Sequence, residues 1–148
     1  MRVQNSSNQA GSAMVELALV VSVMIPLFTG VFQFGYGFYN YNQVIAAVRN
    51  GARYASLAKY DSSTSTPSVA FQTAVKNMVV YGNPTGGSVP LVSGLNTSQV
   101  LVSVTTVGGT PDIVTVSLQS WTLDTVFKRF VFANKPAASF RYAGLYAP

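Results

Sequence analysis

Four carboxylates make up the whole acidic inventory of this chain of 148 residues: Glu16, Asp61, Asp112 and Asp124. Acid–base catalysis needs titratable groups brought together in one site. The three aspartates are scattered, two of them beside turn residues where aspartate is ordinarily found. A carboxylate pair of the glycosidase kind exists only on paper. The chain has no cysteine and no histidine, which removes thiolate and imidazole chemistry and the usual zinc sites. No phosphate loop, dinucleotide fingerprint or nucleophile elbow occurs. The sequence therefore reads as a non-enzyme with no cofactor and no metal. What chemistry remains sits at the start, in Gly11-Ser12-Ala13-Met14-Val15-Glu16. Here a carboxylate follows a Gly–Ser bond by a few residues, and residues 17–48 after it carry no charge at all.

Composition sets the frame around that segment. Charged residues are 9% of the chain, against about 25% in an average globular protein. The deficit lies mostly in the first third, as expected for a helix in lipid or among like helices. Net charge is +5, but the cations Arg2, Arg49, Arg53, Lys59, Lys76, Lys128, Arg129, Lys135 and Arg141 are dispersed. A nucleic-acid binder would gather them with aromatics on one surface. The adjacent Lys128 and Arg129 read as ordinary surface charge, so no nucleic-acid partner is expected.

Residues 1–10 are polar and read as an unstructured leader. Residues 17–36 supply the roughly 20 helical residues that a hydrocarbon core of about 30 Å requires. Ser22, Thr29 and Gln33 can bond to helix carbonyls or to a neighbour. Pro26 removes one helical hydrogen bond and is a candidate kink. Gly30, Gly35 and Gly37 thin one side of the segment for close helix contact. The aromatic run from Phe32 to Tyr41 marks a membrane boundary near residues 36–41. Three readings fit such a segment. A cleaved secretory signal needs a shorter apolar core and a small-residue cut site after it, which is lacking here. A plain anchor explains the length. A type IV pilin-like N-terminus explains the length and Glu16 together.

A charge at the hydrocarbon costs a few kcal/mol on insertion scales. A plain anchor has no use for that cost. In a filament, a carboxylate can pair with the ammonium of a neighbouring subunit's cut N-terminus, neutralising both and fixing axial register. Glu16 at the lipid interface, favoured by the helix dipole, is the simpler alternative, and spacing leaves both open. Charge speaks against a pilin-like orientation. Arg49, Arg53 and Lys59 lie beyond the span and only Arg2 before it, so the positive-inside rule places the C-terminal part in the cytoplasm.

Residues 42–59 are alanine-rich and continue the helix. Ile45, Val48, Ala52 and Ala55 make a narrow apolar stripe at helical spacing. Arg49 and Arg53 stack one turn apart on another face, either as a solvated surface or as a partner-binding face. Gly51 weakens the helix without having to end it. The segment from Gly11 to Glu16, the uncharged span and Asn50-Gly51-Ala52-Arg53-Tyr54-Ala55 together resemble the TadE-like family, pilin-like subunits of the tight adherence (Flp-type) machinery. The resemblance covers residues 11–58 well and extends loosely to Phe140-Arg141-Tyr142. It implies cleavage by a prepilin peptidase between Gly11 and Ser12, with Ser12 the first mature residue and Glu16 the fifth. It implies other pilin-like subunits as partners, met through Glu16 and a helix face bearing Gly30, Gly35 and Gly51. It also implies an inner-membrane precursor that ends in a surface filament or an envelope-spanning assembly. The leader departs from the family by carrying only Arg2 before the cut.

In the C-terminal half, residues 60–68 read as a Ser/Thr-rich connector. Residues 68–80 read as a short amphipathic helix presenting Val69, Ala70, Thr73, Ala74, Asn77, Met78 and Tyr81, stopped by Gly82 and Pro84. Residues 82–94 read as an exposed loop. Val100, Val102 and Val104 share one strand face, and Val114, Val116 and Leu118 share another, with residues 108–112 as the hairpin loop. Trp121, Phe127, Phe130, Phe132, Phe140, Tyr142 and Tyr146 are expected to cover the sheet and helix as core. Residues 122–132 fit a helix or a strand. The expected fold is α+β: a leader over 1–11, a transmembrane helix over 12–59 and a small pilin-like domain over 60–148, with a short second helix and an antiparallel sheet. The expected role is a minor pilin or pseudopilin. The rival role is a bitopic, membrane-anchored binding protein that never polymerises.

Overall fold

A computed structural model describes residues 6–124 and 129–148. Arg2, Phe127 and Lys128 lie outside the described residues. The chain is α+β, with a long apolar helix, a short second helix and antiparallel sheets. Helix α1 runs Ser6–Leu57, 52 residues without a break, and passes through Pro26. Residues 6–10, expected to be unstructured, are helical. Nothing in Ser6-Ser7-Asn8-Gln9-Ala10 stops a helix. Once the apolar segment has nucleated, each added residue gains a hydrogen bond without a new nucleation cost.

The chain divides between Gly37 and Phe38 into two compact units. In the first unit α1 is a bare rod. Ser22 and Thr29 donate their hydroxyls to the carbonyls of Leu19 and Ile25, each at 2.8 Å, so the helix absorbs its own polar side chains.

The second unit has one core. Val44, Ala47, Val48, Ala52 and Ala55 of α1 are buried in it. Val44 and Ala47 belong to this stripe, while Ile45, expected there, is half-buried. Helix α2 spans Val69–Tyr81. Ser68 caps it, accepting from the backbone N–H of Phe71 at 3.1 Å. Gly82 ends it in the left-handed conformation (φ 71), which glycine adopts without a Cβ penalty. The buried face of α2 is Phe71, Val75, Val79 and Val80. The expected face was misplaced: Val69 is 80% exposed. Gln72, Thr73, Lys76 and Asn77 mark a polar side, but the apolar arc opposite is wide, from Ala70 and Ala74 through Met78 to Phe71, Val75 and Val79, and periodicity alone does not choose within it.

Strands β1 (Val100–Val107) and β2 (Thr110–Leu118) pair antiparallel, and β5 (Ala137–Arg141) completes the order β1-β2-β5. Val100, Val102 and Val104 and, across them, Val114, Val116 and Leu118 all face the core. The hairpin loop is only Gly108 and Gly109, tighter than expected, because both residues take positive φ (59 and 82). Two-residue hairpin turns of the primed types demand that geometry. Strands β3 (Ser120–Asp124) and β4 (Arg129–Ala133) form a separate pair, so the described part of 122–132, residues 122–124 and 129–132, is strand. Trp121 is 1% exposed and stacks on Phe132 at 5.6 Å. Its indole N–H is buried without a hydrogen-bond partner among the described residues. Phe130 and Phe140, expected in the core, are 40% and 39% exposed.

Candidate functional site

The first unit presents an unpartnered apolar surface. Met14, Leu17, Leu19, Val23, Ile25, Leu27, Phe28, Phe32 and Phe34 are all more than half exposed. Soluble helices bury such a set, so this surface requires lipid or protein around it. The helix is long and apolar enough to cross a membrane, which points to membrane association. Glu16 stands in this surface, exposed, with no ion pair among the described residues. Gly11 and Ser12 are likewise exposed and helical. A Cβ placed on Gly11, Gly30 or Gly35 would meet nothing within 4 Å.

Gly51 differs. A Cβ there would overlap Val79 Cγ2 and lie 3.4 Å from Val79 Cβ. The residue that looked like a weak point in the helix is where Val79 of α2 leaves no room for a side chain on α1. Close approach of this kind selects for the absence of a side chain.

The end of α1 is closed by residues distant in sequence. The backbone N–H of Ala143 donates to Ser56 O at 2.9 Å. The Tyr142 hydroxyl lies 2.8 Å from both Ala58 O and Leu145 O, and its single proton serves one at a time. The same oxygen accepts from the Tyr60 N–H at 3.0 Å. These contacts satisfy carbonyls that a helix terminus otherwise leaves open. Tyr60 packs edge-on against Phe71. Burial raises the Tyr60 phenol above its usual pKa, partly offset by Ser62 and reinforced by Asp61. Burial also raises Tyr142, partly offset by its bond from Tyr60. Nothing local in the sequence marks this closure; paired aromatics at such separation read only as core.

Arg49 and Arg53 are both exposed, and their surroundings differ. Arg49 lines a cavity of about 350 Å³ together with Tyr41, Val48, Lys135 and Pro136, whereas Arg53 does not reach it. Lys135 and its neighbours between β4 and β5 carried no signal in the sequence beyond a lone charge beside a proline. Asp112, considered above as a carboxylate for chemistry, is instead held by Arg141 at 3.3 Å.

No curated protein and no solved structure matches the chain. Residues 11–53 match the family model described as TadE-like protein. The match begins at Gly11, spans the exposed apolar rod with Glu16, and ends at Arg53 in the half of α1 that builds the domain core. Over residues 11–53 the N-terminal helix of this chain is thus similar to that family.

Proposed function

We propose that the chain is a minor pilin or pseudopilin of a Tad-type filament or secretion apparatus, assembled through α1. The observation that supports this most directly is Glu16: a carboxylate with no ion pair among the described residues, near the head of an exposed apolar helix and inside the family match. In this reading the precursor sits in the inner membrane with its leader, residues 1–11, in the cytoplasm. A prepilin peptidase cuts between Gly11 and Ser12. The bond lies within a helix, so the first turns must fray to reach an active site, and glycine makes that easier by about 1 kcal/mol relative to alanine. Ser12 then carries a new ammonium. The helix leaves lipid for a bundle of like helices, where Glu16 meets a neighbour's ammonium and each charge loses its desolvation penalty to the other. Gly30 and Gly35 leave room for that neighbour's backbone. The domain, residues 60–148 with the second half of α1 packed in its core, faces other subunits or the filament tip. Structural assembly of this kind needs no active site.

Two measurements test the reading. Mass spectrometry of the membrane-extracted protein is expected to find an N-terminus at Ser12; Met1 retained in cells with active peptidase removes the processing step. Glu16→Ala is expected to abolish incorporation into sheared surface filaments while leaving membrane insertion intact. Unchanged incorporation, or a protein that stays in the membrane whatever residue 16 is, returns the anchored, non-polymerising protein instead.

A further inference from the structure

The second unit holds an electropositive cavity that the assembly of α1 leaves unused. Its two cations come from different elements: Arg49 from α1 and Lys135 from the turn before β5. Neither makes a hydrogen bond or ion pair among the described residues. Val48 and Pro136, both buried, give the cavity apolar walls. Tyr41 adds an aromatic face held in place against Phe132 at 5.3 Å. No carboxylate lines it.

We propose that this cavity receives an acidic side chain from a different protein subunit. A guanidinium presents a planar fork that matches a carboxylate bidentately, and a lysine beside it adds a second charge-assisted bond. Both cations stay solvent-exposed, so an incoming carboxylate can reach them beside the apolar surfaces of Val48 and Pro136. A second copy of this chain is a poor occupant. Copies carry +5 each and have only four acids to offer, one of them held by Arg141. A lipid phosphate is also disfavoured. Arg49 lies eight residues past Tyr41, a helical rise of about 12 Å, and the headgroup layer beyond the hydrocarbon is about 5–8 Å deep on each side. The inference gives the partner-facing reading of Arg49 a chemistry, and it does not depend on leader cleavage or on Glu16. Failure of one therefore leaves the other standing.

The test uses the full chain in neutral detergent micelles and a fluorescein-labelled peptide carrying three successive glutamates. A peptide with glutamines in their place serves as its control. Anisotropy is expected to saturate with the glutamate peptide only. Arg49→Gln and Lys135→Gln are each expected to weaken binding about fivefold or more, and Arg53→Gln, which removes the same charge one turn away, less than about twofold. Emission from Trp121 checks that each variant is folded; if one is not, the other decides. Absence of saturable binding overturns the proposal. So does an equal loss in Arg53→Gln, which reports bulk charge alone. Binding to phosphatidylglycerol nanodiscs that depends on Arg49 and Lys135 while the peptide fails to compete assigns the cavity to lipid and equally overturns it.

Discussion

Gly35 and Gly51 lie in the same helix, yet a methyl group at 35 would enter open space and one at 51 would strike Val79. The contrast extends to their neighbours. Around Gly35, Phe32, Phe34 and Tyr36 are exposed. Around Gly51, Val48, Ala52 and Ala55 are buried. Up to Tyr36 the helix leaves its large apolar residues exposed. From Val44 onward it buries apolar residues in its own domain. A glycine in an apolar helix thus has no single meaning, and only the surrounding fold says whether a surface comes close.

The sharpest way to break this contrast is at residue 51. Alanine there gains about 1 kcal/mol of helix propensity, but it overfills a site whose neighbour Val79 is 0% exposed and stiff at its branched carbon. Overpacking costs about 1–3 kcal/mol, and the overlap with Val79 Cγ2 puts this site in the upper part of that range, about 2–3 kcal/mol. Gly51→Ala is therefore expected to lower the stability of the domain by about 1–2 kcal/mol net. Thermal unfolding followed through Trp121, the sole tryptophan, reads it. An unchanged or raised melting temperature would remove the close approach of α2.

A smaller effect is expected where the helix ends. Tyr142→Phe deletes the hydroxyl that links Tyr60, Ala58 and Leu145, at about 1 kcal/mol. The same phenols predict an alkaline limit. Burial favours the neutral form of Tyr60 and Tyr142, so their folded pKa values lie above the ordinary 10.0. Below pH 10 the unfolded chain is protonated too, and the contribution is fully present. As pH rises through the folded values it is lost, because the unfolded phenols ionise first. Stability measured in urea should fall above pH 10, and less steeply in Tyr142→Phe.

The smallest effect on folding belongs to the other half of the helix. Gly30→Ala and Gly35→Ala should leave the Trp121 transition within about 0.5 kcal/mol of the parent. If either glycine serves helix packing between subunits, its loss shows instead as weaker recovery in filaments. A large shift in the Trp121 transition would mean that the two halves are not separable in the way the contrast requires.

Much of this organisation was legible in the sequence because it rests on local periodicity. Val100, Val102 and Val104 alternate in a strand, and the uncharged span before Arg49 announces a long helix. The capped helix α2 was legible from Ser68 and Gly82, but its inward face was not, since Ala70, Ala74 and Met78 extend the apolar arc that holds Phe71, Val75 and Val79. The β3–β4 pair was undecided because Trp121 to Asp124 is short and has no clear alternation. The cavity and the closure of α1 could not be read at all. Lys135 meets Arg49, and Tyr142 meets Ala58, only after the chain has folded back across most of the domain.

That last closure carries a consequence for timing. Ala58 waits 84 residues for the Tyr142 hydroxyl. At translation rates of about 5–20 residues per second, the interval is about 4–17 s. During it the rod can already be lodged in a bilayer while the domain's seam stays open. A chain interrupted between Leu57 and Tyr142 would be delivered with its helix in place and its latch missing, a product that degradation could tell from a finished one.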